Sequence, residues 1–176
     1  MIFKKTLIED LIIIRPKIFN DERGFFYRNY CEKTFRRNKI KFKAVQCNVS
    51  HNLKKGTLRG FHYTDKKYDE KKIISCLRGE IFMSIIDIRK ESPSYLKFFK
   101  IVLNKDNKIS ILVPAGCANA TLSTQNNSVV QYYMNSEYNS EAQKAFNFKD
   151  PYLKKIKWPI KPSIISKKDK ISKNYF

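Results

Sequence analysis

The residues best suited to chemistry lie in the short run Leu58–Tyr63, which reads Leu-Arg-Gly-Phe-His-Tyr. His62 is one of two histidines in the chain, and it follows Arg59 by three positions. In a regular strand these two side chains face opposite sides, but a bulge at Gly60 would turn both into one cleft. An imidazole beside a guanidinium suits proton abstraction from an anionic substrate. A half-buried histidine in a β-sheet is the other interpretation of this run.

Motifs for several other kinds of chemistry are absent from the sequence. It contains no glycine-rich phosphate loop, no HExxH and no GxSxG. The second histidine is His51, so a metal site built from several histidines cannot form. We therefore expect no metal and no other cofactor, and any chemistry should be acid–base chemistry carried by side chains.

The formal net charge of +20 raises the question of a polyanionic partner. The lysines are spread from Lys4 to Lys173 instead of forming one stripe. No nucleic-acid motif is recognised, and the aromatic residues are not interleaved with lysines in a stacking pattern. The charge is therefore taken to indicate a phosphate-bearing substrate, with neither nucleic acid nor a membrane as partner.

Cysteine spacing and the N-terminus together indicate a reducing compartment. The four cysteines form no CxxC pair, which predicts free thiols and neither a zinc site nor a disulfide framework. Glu9 and Asp10 interrupt the first apolar run, which argues against a signal peptide. No run approaches the ~18 apolar residues of a membrane span. The expected location is the cytoplasm.

A chain of 176 residues has a natural size for one domain, spanning residues 1–176. Many short apolar runs separated by turn residues predict an all-β protein, either a sandwich or a closed barrel. The expected strands are 1–14 as a pair around Glu9–Asp10, then 43–50, 72–77, 80–88, 96–103, 108–113 and 128–134. A short helix is expected over 30–38, and polar loops over 51–56 and 64–70.

Six runs, in order along nearly the whole chain, resemble the dTDP-4-dehydrorhamnose 3,5-epimerase family of nucleotide-sugar enzymes. They are Asp21–Phe26, Leu58–Tyr63, Asp87–Pro93, Pro114–Ala118, Ile156–Pro159 and Ser166–Asp169. The resemblance implies a metal-independent cupin, a jelly-roll β-barrel with a few short helices. It also implies a homodimer in which N-terminal strands cross to the partner.

The same resemblance implies a role for each of several residues. It makes His62 the base, Asp169 the carboxylate that orients it, and Tyr132 the proton donor. Lys72 would steady the oxyanion of the intermediate. The positions that match substrate-binding residues of the family are Arg23 and Arg59 for the diphosphate, Gln46 and Asn48 for the nucleotide, and Tyr138 and Lys168 elsewhere in the cleft.

Three positions depart from the family pattern. Asn119 stands where the family usually has a histidine; its amide can bind a sugar oxygen but cannot carry a proton at neutral pH. Arg28 replaces a glutamate on the nucleotide side, and Ser75 replaces an arginine. The sign reversal at Arg28 suggests that the nucleoside is not thymidine. Together the changes suggest another 4-keto sugar as substrate, such as a GDP-linked deoxysugar or a heptose.

The leading hypothesis is an epimerase that inverts C3, C5 or both in a nucleotide-linked 4-keto sugar used for surface polysaccharides. Hydrogens beside the C4 ketone are acidic, so a base forms an enolate that is reprotonated on the opposite face. A cupin sugar 3,4-ketoisomerase is the alternative. A non-catalytic basic module that binds nucleic acid is a third hypothesis, motivated by the net charge.

Overall fold

Two packed sheets dominate the structure, a computed structural model that describes residues 1–176 apart from the side chain of Lys66. In spatial order the first sheet consists of β1 (Ile2–Lys5), β2 (Ile12–Arg15), β10 (Ser110–Val113), β7 (Lys72–Arg78), β12 (Ser128–Met134) and β5 (Gln46–Asn52). The second consists of β13 (Lys144–Ala145), β6 (Thr57–Tyr63), β11 (Cys117–Ser123), β8 (Glu80–Asp87) and β9 (Phe98–Asn104). The prediction of a mainly β-stranded protein is confirmed.

The remaining elements are short. β3 (Ile18–Asp21) and β4 (Gly24–Tyr27) form a separate hairpin, and β14 (Ile164–Ile165) pairs in parallel with β6. The helices are α1 (Glu32–Arg37) and α2 (Lys167–Ile171), with 3₁₀ turns at Lys66–Tyr68 and Pro151–Lys155. In the described chain no helix is long and apolar enough to cross a membrane.

The main core lies between the two sheets, because alternate residues of each strand point inward. Ile74 and Ile111 of the first sheet share one buried cluster with Ile81, Met83 and Leu103 of the second. Burying each such side chain stabilises the fold by about 1.5–3 kcal/mol. This core holds the strands that carry the site at fixed positions.

A second apolar cluster covers the outer face of the second sheet. Phe61 stacks on Phe146 with ring centroids 5.1 Å apart. Trp158 packs against the ring of Phe61, with centroids 6.3 Å apart. Tyr175 and Phe176, the last two residues of the chain described, also pack against the ring of Phe146. These contacts hold the C-terminal segment, and with it α2, against β6.

The expected bulge at Gly60 is present. In the pairing of β6 with β11, His62 lies opposite Asn119 and Arg59 lies opposite Thr121, so β6 has one more residue than β11 between these pairs. Gly60 has φ +118°, and a Cβ there would stand 2.5 Å from the Asn119 carbonyl oxygen. The bulge therefore needs glycine and brings Arg59 and His62 to one face.

Several predicted boundaries differ from the structure. The prediction of a loop over 51–56 is partly wrong, because β5 continues through Asn52. This residue pairs with Ser128 of β12, and its side chain is buried. The helix is shorter than expected, covering Glu32–Arg37. β11 was missed because its small residues, such as Ala118 and Ala120, carry little strand propensity.

Substituting Gly60 with alanine should destabilise the protein more than substituting Gly24. Both glycines have positive φ (+118° and +126°), a conformation that costs a non-glycine residue about 1–3 kcal/mol. A Cβ on Gly24 would meet no atom within 4 Å, whereas a Cβ on Gly60 would also clash with the backbone of Asn119 and Ala120 in the paired strand β11. Urea unfolding of G60A and G24A measures the difference, and an equal loss in both would contradict a tightly packed bulge.

Candidate active site

A polar cavity of about 340 Å³ lies between the two sheets. β5, β7 and β12 of the first sheet form one wall, and β6 and β11 of the second form the other. The wall residues alternate along each strand, as with Gln46, Asn48 and Ser50 on β5. Eight of the predicted site residues line this cavity together: Gln46, Asn48, Arg59, His62, Lys72, Asn119, Tyr132 and Tyr138.

His62 is held from behind by a buried carboxylate. Its Nε2 lies 2.8 Å from Oδ1 of Asp169, whose side chain is 4% exposed, whereas the imidazole itself is 39% exposed. Because an ionised carboxylate can only accept, Nε2 carries the proton in the neutral ring and Nδ1 is left unprotonated. His62 thus has a fixed tautomer and a nitrogen free to take up a proton.

Asp169 reaches this position because α2 begins beside β6. The Ser166 hydroxyl caps the helix by accepting the Asp169 backbone N–H at 3.0 Å. Burial alone would raise the pKa of Asp169, but hydrogen bonds from His62 and the Gly60 backbone N–H outweigh it and lower the pKa. The carboxylate therefore stays ionised.

Tyr132 lies in the same cavity on the other sheet. Its backbone pairs with Asn48 of β5 on one side and Ile74 of β7 on the other. Its side chain is half-buried and packs against the main core. Burial raises the pKa of Tyr132; the Arg59 charge lowers it in part and the Glu70 charge raises it. The phenol is consequently protonated at neutral pH and suited to donate a proton.

Lys72 is the first residue of β7. It lies two positions before Ile74, so both side chains face the cavity from the same wall. Its side chain is 15% exposed, and its Nζ lies 2.9 Å from Glu70 Oε1. Because this ammonium is screened from bulk water, it interacts more strongly with a negative oxygen in the cavity than an exposed lysine would.

The polar residues toward the β5 edge hold one another in place. The Arg59 Nε donates to Asn52 Oδ1 at 2.8 Å, which orients the guanidinium. Gln46 Nε2 donates to Asn48 Oδ1, and Gln46 Oε1 accepts the Tyr138 backbone N–H, both at 2.9 Å. This edge is suited to an anionic and hydrogen-bonding ligand.

Lys168 and Asn119 occupy two further places around His62. Lys168 lines a second recess of about 390 Å³ that shares Arg59 and His62 with the main cavity. Asn119 lies opposite His62 on β11, and its Nδ2 donates to the His62 carbonyl oxygen at 3.3 Å.

Arg23 and Arg28 are not brought to the cavity formed by this chain, as far as the described residues show. Arg23 lies at the tip of the β3–β4 hairpin, 84% exposed, and pairs with Asp21 at 2.6 Å. Arg28 follows β4 and is also exposed. The structure of one chain therefore leaves both predicted substrate contacts without a site.

Three further polar residues that line the cavity, and one that contacts a lining residue, were not predicted from the sequence. Ser50 and Thr121 are two positions from Asn48 and Asn119 on the same strands, so alternation could have found them. Gln143, from a loop, and Glu70, which contacts Lys72, gave no sequence signal. Among the described residues, no group of three or more His, Cys, Asp or Glu side chains is placed to hold a metal ion.

A histidine with a carboxylate behind it and a protonated tyrosine, facing one cavity from opposite sheets, is the arrangement of an acid–base enzyme. A lysine that lines the same cavity is suited to stabilise an oxyanion. Fold and site together indicate a jelly-roll enzyme whose cavity is suited to acid–base chemistry.

Comparison with known proteins identifies the family. The family model for dTDP-4-dehydrorhamnose 3,5-epimerase matches residues 5–175. A curated relative of that name from Shigella flexneri is 34% identical over 168 residues, covering 94% of this chain and 91% of its own. This chain belongs to the dTDP-4-dehydrorhamnose 3,5-epimerase family, and it is an enzyme.

Solved structures agree in fold. The Bacillus anthracis enzyme of that name, with TDP and PPi bound, is 30% identical with a TM-score of 0.92 and 98% of each chain covered. A dTDP-6-deoxy-D-glucose-3,5-epimerase from Legionella pneumophila, in complex with dTDP-4-keto-L-rhamnose, is 33% identical with a TM-score of 0.90, covering 98% and 91%. The predicted cupin-like jelly roll is confirmed.

Proposed function

We propose that this protein inverts C3 and C5 of a dTDP-linked 4-keto-6-deoxyhexose, the reaction for which its relatives are named. The observation that carries the proposal is the pairing of His62 with Asp169 across the cavity from Tyr132. Proton removal and proton return on opposite faces of one carbon require a base and an acid on opposite sides of the sugar.

The first step is proton abstraction beside the C4 ketone. The unprotonated Nδ1 of His62 takes the proton, and the electrons of the C–H bond move into a C–C double bond while the carbonyl π electrons move to O4. Asp169, ionised and 2.8 Å from Nε2, stabilises the imidazolium that forms. The product of this step is an enolate held in the cavity.

The second step returns a proton from the other wall. Lys72 stabilises the negative O4 of the enolate, because its ammonium is partly shielded from water. The Tyr132 phenol then gives its proton to the opposite face of the carbon, and the ketone re-forms at C4. Solvent reprotonates the phenolate and removes the proton from His62 before the next carbon reacts.

Support for thymidine as the nucleoside comes from the relatives, whose structures contain TDP or a dTDP-sugar. The sequence favours another nucleotide through Arg28 and Ser75, but within the described chain neither lines the cavity. The polar edge formed by Gln46, Asn48 and Arg59 would hold the nucleotide and diphosphate. Asn119 would bind a sugar oxygen as a neutral amide.

We also propose a homodimer in which the β3–β4 hairpin packs on a second copy. In the described chain this hairpin joins neither large sheet, and it exposes Phe19, Phe25 and Phe26 by 52%, 58% and 63%. Such an apolar surface favours a protein partner. Crossing to the partner would carry Arg23 and Arg28 toward a cavity. A solution mass of one chain, by sedimentation at micromolar concentration, would contradict this arrangement.

The function is tested with dTDP-4-keto-6-deoxyglucose and its GDP-linked mannose counterpart as alternative substrates. We expect inversion of the dTDP sugar at C3 and C5, with at least a tenfold slower reaction of the GDP sugar. Borohydride reduction of the mixture traps the ketone as alcohols, whose configuration is read by NMR. Free dTDP should also raise the melting temperature more than GDP at equal concentration, because a ligand stabilises in proportion to its affinity.

Three outcomes would contradict the proposal. A preference for the GDP sugar would favour the nucleotide suggested by the sequence. A carbonyl found at C3 in the product would indicate a 3,4-ketoisomerase. Failure to react with either sugar, with no stabilisation by dTDP, would leave the site without this function.

A further inference from the structure

One carboxylate at the cavity is buried but takes no part in the proton transfers. Glu70 lies two residues before Lys72, and its side chain is 4% exposed. Its Oε1 lies 2.9 Å from Lys72 Nζ, and its Oε2 accepts a 2.7 Å hydrogen bond from Gln143 Nε2. A buried charge is tolerated only when it is paired and hydrogen-bonded, so these two partners fix the Glu70 position.

The two partners of Glu70 belong to different walls of the cavity. Lys72 begins β7 in the first sheet, and Gln143 immediately precedes β13 in the second. In β13, Ala145 pairs directly with His62 of β6. The Glu70 carboxylate therefore links the lysine on one wall to the strand that lies beside the histidine on the other.

We propose that Glu70 is a positioning residue for the epimerisation, an inference that rests on the proposed function. Its carboxylate holds one of the three N–H donors of Lys72 and fixes the ammonium relative to His62 through Gln143. The other two donors remain for O4 of the enolate. Glu70 thus sets where the negative charge of the intermediate is stabilised.

Glu70 also acts on the proton donor through its charge. Burial raises the pKa of Tyr132, the Arg59 charge lowers it and the Glu70 charge raises it. Besides Tyr132 and Arg59, the titratable groups that line the cavity, within the described part of the chain, are His62, Lys72 and Tyr138. Removing the Glu70 charge leaves the positive groups unopposed, so the phenol should lose its proton at lower pH.

The test compares Glu70→Ala and Glu70→Gln with Glu80→Gln as a matched control. Glu80 is also partly buried and accepts from Asn104 and Thr124. Within the described chain neither of these partners lines the cavity, whereas both partners of Glu70 do. We expect Glu70→Ala to lower kcat at least tenfold, with KM changed less than about threefold, because the nucleotide contacts remain. Glu70→Gln preserves the shape, so it should restore kcat at neutral pH to within about threefold of wild type.

The pH profile separates positioning from a merely structural role. In Glu70→Gln the alkaline limb of kcat should move to lower pH, whereas Glu80→Gln should keep the wild-type limb. An unmoved limb together with wild-type kcat in Glu70→Ala would overturn the inference. If Glu70→Ala does not fold, the alkaline limb of the kcat profile of Glu70→Gln tests the inference by itself, and an unmoved limb would overturn it.

A measurement without turnover keeps the inference distinct from the proposed function. Limited acetylation with acetic anhydride, followed by peptide mapping, should modify Lys72 several-fold faster in Glu70→Ala. Lys144, which pairs with Asp65 at 2.6 Å, serves as the internal control. Unchanged Lys72 acetylation would show that Glu70 does not hold the ammonium. An inactive wild type would instead reject the proposed function and the catalytic part of the inference with it.

Discussion

The hydrogen bond between His62 and Asp169 joins residues 107 positions apart, and much of the fold serves to make it. A buried carboxylate is costly unless its oxygens are satisfied, and here the imidazole and the Gly60 N–H satisfy them. The bulge at Gly60 turns His62 into the cavity. The aromatic cluster around Phe146 holds the C-terminal segment, and the Ser166 cap starts α2 where Asp169 reaches the ring. Any loss among these leaves His62 without a fixed tautomer.

The two sheets divide the proposed catalytic and binding residues between them. The second sheet supplies His62, Arg59 and Asn119, whereas the first supplies Tyr132 and Lys72. Because a shared apolar core packs one sheet against the other, the proposed acid and base are held at a fixed separation.

What the sequence could predict was mostly local. Alternation and turn residues predicted strands such as Ser128–Met134, and Gly60 between Arg59 and His62 predicted the bulge, because each signal lies within a few residues. Asp169 was identified only through the family resemblance, since its neighbours describe a lysine-rich tail. The proposed roles of Glu70 and Gln143 could not be predicted, because they depend on a hydrogen bond between residues 73 positions apart in the chain. Arg23 shows the opposite limit, since matching a family motif does not place its side chain in the cavity of its own chain.

The central claim is that His62 removes one proton and Tyr132 donates a different proton to the opposite face of the same carbon. It is tested most directly by NMR of the 4-keto sugar in D₂O with the wild type, His62→Asn and Tyr132→Phe. The account predicts deuterium with inversion at C3 and C5 for the wild type. His62→Asn should slow exchange by roughly 10²–10⁴-fold, and Tyr132→Phe should incorporate deuterium without inversion, because the base still acts and only the opposite proton is missing. Wild-type exchange in His62→Asn, or wild-type inversion in Tyr132→Phe, would contradict it.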